Sequence, residues 1–214
     1  MNESHAPASQ TPQLSEFYGT ASRELQDQFD SRRLADFLAS RTVHAELLPD
    51  DIDLISRQNT VWLSTIDPNG WPDVSYKGGQ AGFVSVVDPH TLRIPIFDGN
   101  GMFRTLGNIV ENPRVALLFI DPTRPWRMRV HGMATVSTDP DSLAGLVGTQ
   151  AVVTVSIARI FPNCGRYIHS GDTVSEYVPA EGHETPDPEW KLQPMLREFL
   201  TDKDQARLSE IESQ

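Results

Sequence analysis

The chain is poor in cysteine, in basic residues and in long apolar runs, and each of these shortages excludes or disfavours a class of protein. Its single cysteine, Cys164, cannot form an intrachain disulfide or supply a site of several thiolates. Lys and Arg number 18 against 29 Asp and Glu, and the net charge of −11 disfavours nucleic acid as a partner. No apolar run approaches the roughly 18 residues of a membrane helix, and the first ten residues lack the pattern of a signal peptide. These absences predict a cytoplasmic protein that binds neither nucleic acid nor membrane.

The common catalytic motifs are missing as well. The sequence has no Gly-x-Ser-x-Gly elbow, no His-Glu-x-x-His and no phosphate loop that ends in Gly-Lys. Its six histidines show no paired ligand spacing, so no metal site is predicted. Gly99-Asn100-Gly101 resembles half of a dinucleotide fingerprint, but Arg104 stands where the third glycine belongs. The sequence therefore disfavours a simple hydrolase, a P-loop protein and a Rossmann site.

Charge and composition divide the chain into four parts. Residues 61–180 carry 10 acidic and 9 basic side chains, whereas 1–60 carry 10 and 5 and 181–214 carry 9 and 4. Residues 1–13 are polar and are expected to be disordered. Residues 14–58 show the apolar spacing of two or three amphipathic helices, and 171–214 form an acidic tail with a helix expected at 194–211. The part between them, 59–170, is the predicted main domain.

The main domain has the pattern of an antiparallel β-structure. Apolar and β-branched runs alternate with short turns, and Asn69-Gly70 is a strong hairpin signal between two of them. The predicted strands span 60–66, 71–77, 83–87, 91–97, 115–120, 127–137 and 151–161. Helices are predicted at 102–111 and 140–147. Six or seven strands joined in this way predict a mainly β fold with flanking helices, a barrel or a sandwich.

One group of residues favours an anion. The flexible Gly-Asn-Gly turn leads into a helix whose first N–H groups are free, and Arg104 and Thr105 stand beside them. The alternative is that Asn100 caps the helix and Arg104 is solvated. Lys77, the only lysine among residues 1–190, ends the predicted second strand and is either a second anion ligand or a solvated strand lysine.

The sequence alone leaves alternative roles open for two further groups of residues. Arg127, Arg129 and His131 alternate with apolar residues on one strand. This basic face is either solvated or forms a wall of an anion site or of a subunit interface. Cys164 and His169 lie close enough in sequence for a nucleophilic pair, but nothing nearby indicates a lowered thiol pKa, so a structural thiol is the preferred interpretation.

Several stretches together resemble the pyridoxamine 5′-phosphate oxidase-related flavoproteins. They are 62–65 (WLST), 71–79 (WPDVSYKGG), 98–109 (DGNGMFRTLGNI), 112–119 (NPRVALLF) and 161–169 (FPNCGRYIH). The resemblance implies a six- to seven-stranded antiparallel split β-barrel, a homodimer, and FMN bound in clefts between the subunits. Members of the wider fold also use deazaflavin or haem.

The resemblance also assigns expected roles to particular residues. Lys77 matches a strand lysine that meets the flavin, and Ser75 and Tyr76 precede it in the same motif. Arg104 matches the residue that grips the FMN phosphate, and Thr105 stands where the true oxidases have a second basic side chain. Three more assignments follow from the resemblance: Phe97 and Asn100 skirt the ribityl chain, and Arg127 takes the place of a glutamine at the flavin ring.

The departures from the oxidases concern the substrate. Residues 139–148 (DPDSLAGLVG) are short and contain no basic side chain, where the oxidases have a helix that binds the substrate phosphate. Vitamin B6 phosphate is therefore not the expected substrate. The resemblance implies an FMN-dependent oxidoreductase for an unidentified small molecule. The alternatives are a non-catalytic flavin-binding or flavin-carrying protein and an interaction module that binds no flavin.

Overall fold

The computed structural model describes residues 17–121, 123–124, 126–183 and 185–212. They form two compact units, of which the first is His44–Cys164. The second combines residues 17–43 with 165–212. The predicted disordered segment 1–13 lies outside the described residues, and the predicted domain bounds stay predictions.

The first unit is built on one antiparallel sheet of seven strands in the order β2-β1-β5-β6-β7-β4-β3. This confirms the predicted fold class, a mainly β structure with flanking helices. The strands are β1 Thr60–Ile66, β2 Pro72–Gly78, β3 Ser85–Asp88, β4 Thr91–Phe97, β5 Arg114–Asp121, β6 Trp126–Ser137 and β7 Thr149–Asn163. The Asn-Gly turn joins β1 to β2 as predicted, with Gly70 at a φ of 84°.

Three helices accompany the sheet: α3 Pro49–Arg57, α4 Arg104–Glu111 and the short α5 Pro140–Leu143. Alternate residues of the strands point inward, and the core they form includes the fully buried Leu63, Phe119 and Val153. Leu54 and Ile55 of α3 belong to the same core, so this helix packs with the sheet. Burial of such apolar side chains is the main stabilising contribution to the unit.

A β-bulge interrupts the pairing of the two longest strands. The register of β6 and β7 shifts between His131 and Gly132. The backbones approach so closely there that a Cβ atom on Gly132 would lie 2.4 Å from the Ser156 carbonyl oxygen and 2.7 Å from a methyl carbon of Val155. Glycine is therefore required at position 132 by packing.

The second unit is helical. Its helices are α1 Thr20–Gln28, α2 Arg32–Thr42 and α6 Asp202–Glu212, with 3-10 turns at Glu189–Leu192 and Pro194–Phe199. The helix predicted at 194–211 is thus divided. Leu200 is fully buried, and the Thr201 hydroxyl accepts a hydrogen bond from the Asp204 N–H at 3.1 Å, which caps a new helix. Among the residues described, no helix is long and apolar enough to cross a bilayer.

Candidate functional site

A pocket of about 350 Å³ opens in the first unit beside the end of β2 and the start of α4. This volume lies within the range usual for small-molecule sites, roughly 300–1,000 Å³. Residues from four elements and one loop surround it. They are Asp73, Ser75, Tyr76, Lys77, Ile96, Phe97, Gly99, Asn100, Gly101, Met102, Phe103, Arg104, Thr105, Leu106 and Gln150.

The alternation of strand β2 supplies the polar wall. Asp73, Ser75 and Lys77 are half-buried and share one face of the strand, whereas Val74 and Tyr76 are exposed on the other. The register with β1 places Lys77 opposite Val61 and Ser75 opposite Leu63, at the margin of the core. A carboxylate, a hydroxyl and an ammonium are therefore held in a row by the strand itself.

Lys77 is the half-buried cation of the pocket. No hydrogen bond or ion pair of its ammonium occurs among the residues that the structure describes. Burial lowers its pKa below the usual lysine value, and the Asp73 carboxylate opposes that shift. A half-buried ammonium without a direct partner favours an anion at this position.

Arg104 is the second cation, and it lies between two carboxylates. Its Nε is 3.4 Å from Asp73 Oδ2, and one of its terminal nitrogens is 3.8 Å from Asp67 Oδ2. The Arg104 side chain is 53% exposed, so these ion pairs are screened by solvent and are individually weak. The guanidinium is therefore available to an anion that competes with Asp73.

Helix α4 begins at the pocket with an unusual backbone. Phe103 precedes its first turn with a φ of 50°, in the left-handed region that costs a non-glycine residue energy. Asn100 does not cap the helix: its Oδ1 accepts a hydrogen bond from the Met102 N–H at 3.0 Å inside the preceding turn. The capping alternative for Asn100 is thus wrong, because the helix starts at Arg104 and not at the predicted residue 102.

Two hydrogen bonds fix α4 against the sheet. The Asn108 amide donates to the Thr65 hydroxyl at 2.9 Å, and both residues are buried. At the start of the helix the Thr105 and Ser75 hydroxyls are 3.1 Å apart. The first N–H groups of α4 are consequently held beside β2, where the helix dipole adds to the positive charge of Arg104.

The structure brings seven of the eight predicted site residues to this pocket. The exception is Arg127, which lies on β6 and does not line it. The buried Nε of Arg127 has no hydrogen-bond partner within the described part of the chain. The seven residues that line the pocket are Ser75, Tyr76, Lys77, Phe97, Asn100, Arg104 and Thr105.

Sequence reasoning missed two polar residues of the pocket. Asp73 shares the two-residue period of Ser75 and Lys77, and that pattern was sufficient to find it. Gln150 comes from β7, and its amide donates to Asp98 at 2.9 Å, a contact between residues 52 positions apart that no local pattern indicates.

The other residues singled out in the sequence lie outside this pocket. The His169 Nδ1 accepts a hydrogen bond from the Ser175 N–H at 3.2 Å. Cys164 follows β7 and is partly buried. In the ranges that the structure describes, no group of three or more His, Cys, Asp or Glu side chains has the arrangement of a metal site.

Comparison with known proteins gives one family match. The family model described as pyridoxamine 5′-phosphate oxidase matches residues 51–162, which are 112 of the 214 residues. No curated protein matches the chain. The matched range contains the whole pocket and all of the strands except the last residue of β7.

Several solved structures are similar to part of this chain. One, a Lactobacillus delbrueckii protein with a provisional assignment as pyridoxamine 5′-phosphate oxidase, is 29% identical with a TM-score of 0.45. That match covers 55% of this chain and 94% of the other. HupZ from Group A Streptococcus is 20% identical over 60% and 98% of the two chains, with a TM-score of 0.45. HutZ, the heme storage protein from Vibrio cholerae, is 19% identical over 54% and 94%, with a TM-score of 0.40.

Proposed function

Because the chain belongs to the pyridoxamine 5′-phosphate oxidase family, we propose that it is an FMN-dependent oxidoreductase acting on a small molecule. The observation that carries the proposal is the convergence of Lys77, Arg104 and the start of α4 on one pocket. All three favour a phosphate group, and they do so in a chain whose net charge is −11.

The polar part of the pocket fits the phosphate of FMN. Arg104 offers a guanidinium, Thr105 a hydroxyl, and the first turn of α4 its unpaired N–H groups. Ser75 holds the Thr105 hydroxyl in place. Lys77, deeper on β2, supplies a positive charge to the ring end of the cofactor.

The apolar part fits a planar ring system. Ile96 and Phe97 border the pocket. The Tyr76 ring points to the other face of β2 and packs edge-on against Trp62, with ring centroids 5.3 Å apart. A bound flavin supplies hydride or electron transfer at this site. The residues of the chain bind and orient the cofactor and exclude water from it, which requires no catalytic side chain.

We also propose a homodimer, in which Arg127 reaches the flavin of the other subunit. On the face of β1 and β2 that points away from the core, Trp62 is 40%, Val74 63% and Tyr76 56% exposed. Exposed apolar side chains that are adjacent on a sheet favour a protein interface. Light scattering at micromolar concentration tests the proposal, and a monomer contradicts it.

The absorbance spectrum of the freshly purified protein tests the function. A flavin spectrum that bleaches on anaerobic addition of NADH or NADPH supports the oxidoreductase. A flavin spectrum that persists with every donor tried supports a carrier role instead. A haem spectrum, or a protein that stays colourless after incubation with FMN, contradicts the proposed cofactor.

The substrate of the proposed enzyme is a molecule other than a vitamin B6 phosphate. Helix α5 has only four residues, and the segment around it contains no basic side chain to bind a substrate phosphate. We expect pyridoxamine 5′-phosphate to leave the anaerobic flavin spectrum unchanged. Rapid bleaching by pyridoxamine 5′-phosphate would overturn this part of the proposal.

Removal of the Asp73 carboxylate should raise the affinity for FMN, whereas removal of a cation should lower it. Its carboxylate competes with the FMN phosphate for Arg104, so Asp73→Asn should tighten FMN binding by roughly two- to tenfold. Fluorescence titration of the apoprotein with FMN measures the change. Asp88→Asn removes the same charge from the β3–β4 turn and should leave the affinity unchanged. Weaker binding by Asp73→Asn would show that the carboxylate chiefly positions Arg104.

A further inference from the structure

A second cavity lies on the opposite side of the sheet from the core. We call the side chains of β2, β1, β5, β6 and β7 that point away from the core the outer face. One row of residues crosses this face in register from strand to strand. The row runs Val74, Ser64, Ala116, His131 and Arg159.

Small residues at the middle of the row create the cavity. Ser64 and Ala116 lie side by side on β1 and β5 and leave room above the sheet. Larger side chains surround them, including Ile66, Arg114 and Met133, and the cavity has a volume of about 310 Å³. It is therefore large enough for a small molecule or for part of one.

The walls of this cavity are basic. His131 and Arg159 are direct cross-strand neighbours, and Arg114 lines the same cavity from the start of β5. None of the described residues that line it carries a carboxylate. Within the described residues neither arginine forms an ion pair. The positive charges of these two guanidiniums are therefore not offset by the described part of the chain.

The bulge between β6 and β7 contributes to the geometry. It follows His131 on β6, and both Gly132 and Ala158 line the cavity. A bulge redirects the side chains next to it. His131 is half-buried, and its pKa lies below the usual histidine value because of burial and because the Arg159 and Arg129 guanidiniums are close. The local field thus already favours negative charge.

We propose that this cavity binds the anionic group of a small molecule, a carboxylate or a phosphate, between Arg114 and Arg159 with His131 beside them. Both arginines can form charge-assisted hydrogen bonds to such a group. Within one chain, the described residues that line this cavity do not include any that line the pocket of Lys77 and Arg104. The inference does not rest on the proposed FMN.

Ring signals of His131 in NMR spectra of the purified protein test the inference directly. Inorganic phosphate and malonate are the two probes, added at constant pH and compared with sodium chloride at equal ionic strength. His131→Gln assigns the signal. We expect a saturable shift with at least one probe, and the more effective probe identifies the anionic group.

Substitutions in each site show which of the two sites binds the probe. Arg159→Gln should weaken the probe about tenfold, the loss of one charge-assisted contact. Arg114→Gln provides a second variant of the cavity, whereas Arg104→Gln alters only the flavin pocket and should leave the His131 response unchanged. Three results would overturn the proposal. The first is a response to the probes equal to that of chloride, and the second is equal binding of the probe by both cavity variants and the native protein. The third is loss of the His131 response in Arg104→Gln.

Discussion

Lys77→Ala and Arg104→Ala should each weaken FMN binding by roughly 1–3 kcal/mol, the usual contribution of a charge-assisted hydrogen bond. Lys77 is half-buried, and Arg104 is 53% exposed and pairs with Asp67 and Asp73 at 3.8 and 3.4 Å. Both cations are therefore available to a cofactor and contribute little to the fold. Fluorescence titration of the apoproteins with FMN gives the dissociation constants.

The matched control is Arg41→Ala, which removes the same charge from an exposed position on α2. Its FMN affinity should equal that of the native protein. Equal affinity of the Lys77→Ala, Arg104→Ala and native proteins would show that the pocket is not the flavin site. Circular dichroism checks that the variants keep the fold, so that a loss of binding is assigned to the contact itself.

Gly132→Ala should lower the free energy of unfolding by about 3 kcal/mol, at the upper end of the usual cost of overpacking. The new Cβ atom would lie 2.4 Å from the Ser156 carbonyl oxygen, closer than real Cβ contacts come. That oxygen belongs to the backbone of β7, so it cannot move aside without disturbing the pairing of β6 and β7. Urea unfolding followed by circular dichroism measures the change.

Gly107→Ala is the control for this substitution. Gly107 lies within helix α4, and a Cβ atom there meets nothing within 4 Å. The helix gains from alanine, so we expect stability to rise by about 0.5–1 kcal/mol. If the two alanine variants changed stability alike, the close approach of the strands at Gly132 would not be the cause.

Local sequence patterns were sufficient for most of the fold. The strands of the first unit follow apolar alternation, and the hairpin of β1 and β2 follows Asn69-Gly70, because both signals act over a few residues. The break between Phe199 and α6 was not predicted. It depends on the burial of Leu200 together with capping by Thr201, and burial is a property of the folded unit.

The pocket of Lys77 and Arg104 could be predicted from the sequence more fully than the cavity on the outer face. Lys77 and Arg104 were selected from their own motifs, and the structure adds that they border one pocket. The basic character of β6 was also visible, since Arg129 and His131 alternate with apolar residues. The cavity beside this basic strand also needs the small residues Ser64 and Ala116 from β1 and β5. Nothing in the sequence of either strand predicts that these two residues are neighbours.

The sequence by itself determined the mainly β fold, the family and the residues most suited to an anion. These follow from periodicity, turn chemistry and motifs, all of which are local. Only the tertiary structure decided that Asp73 lies beside Arg104, that Gln150 lines the pocket, and that β6 and β7 meet too closely for a side chain at Gly132. Such contacts depend on strand register and order, which are set when the whole sheet packs its core.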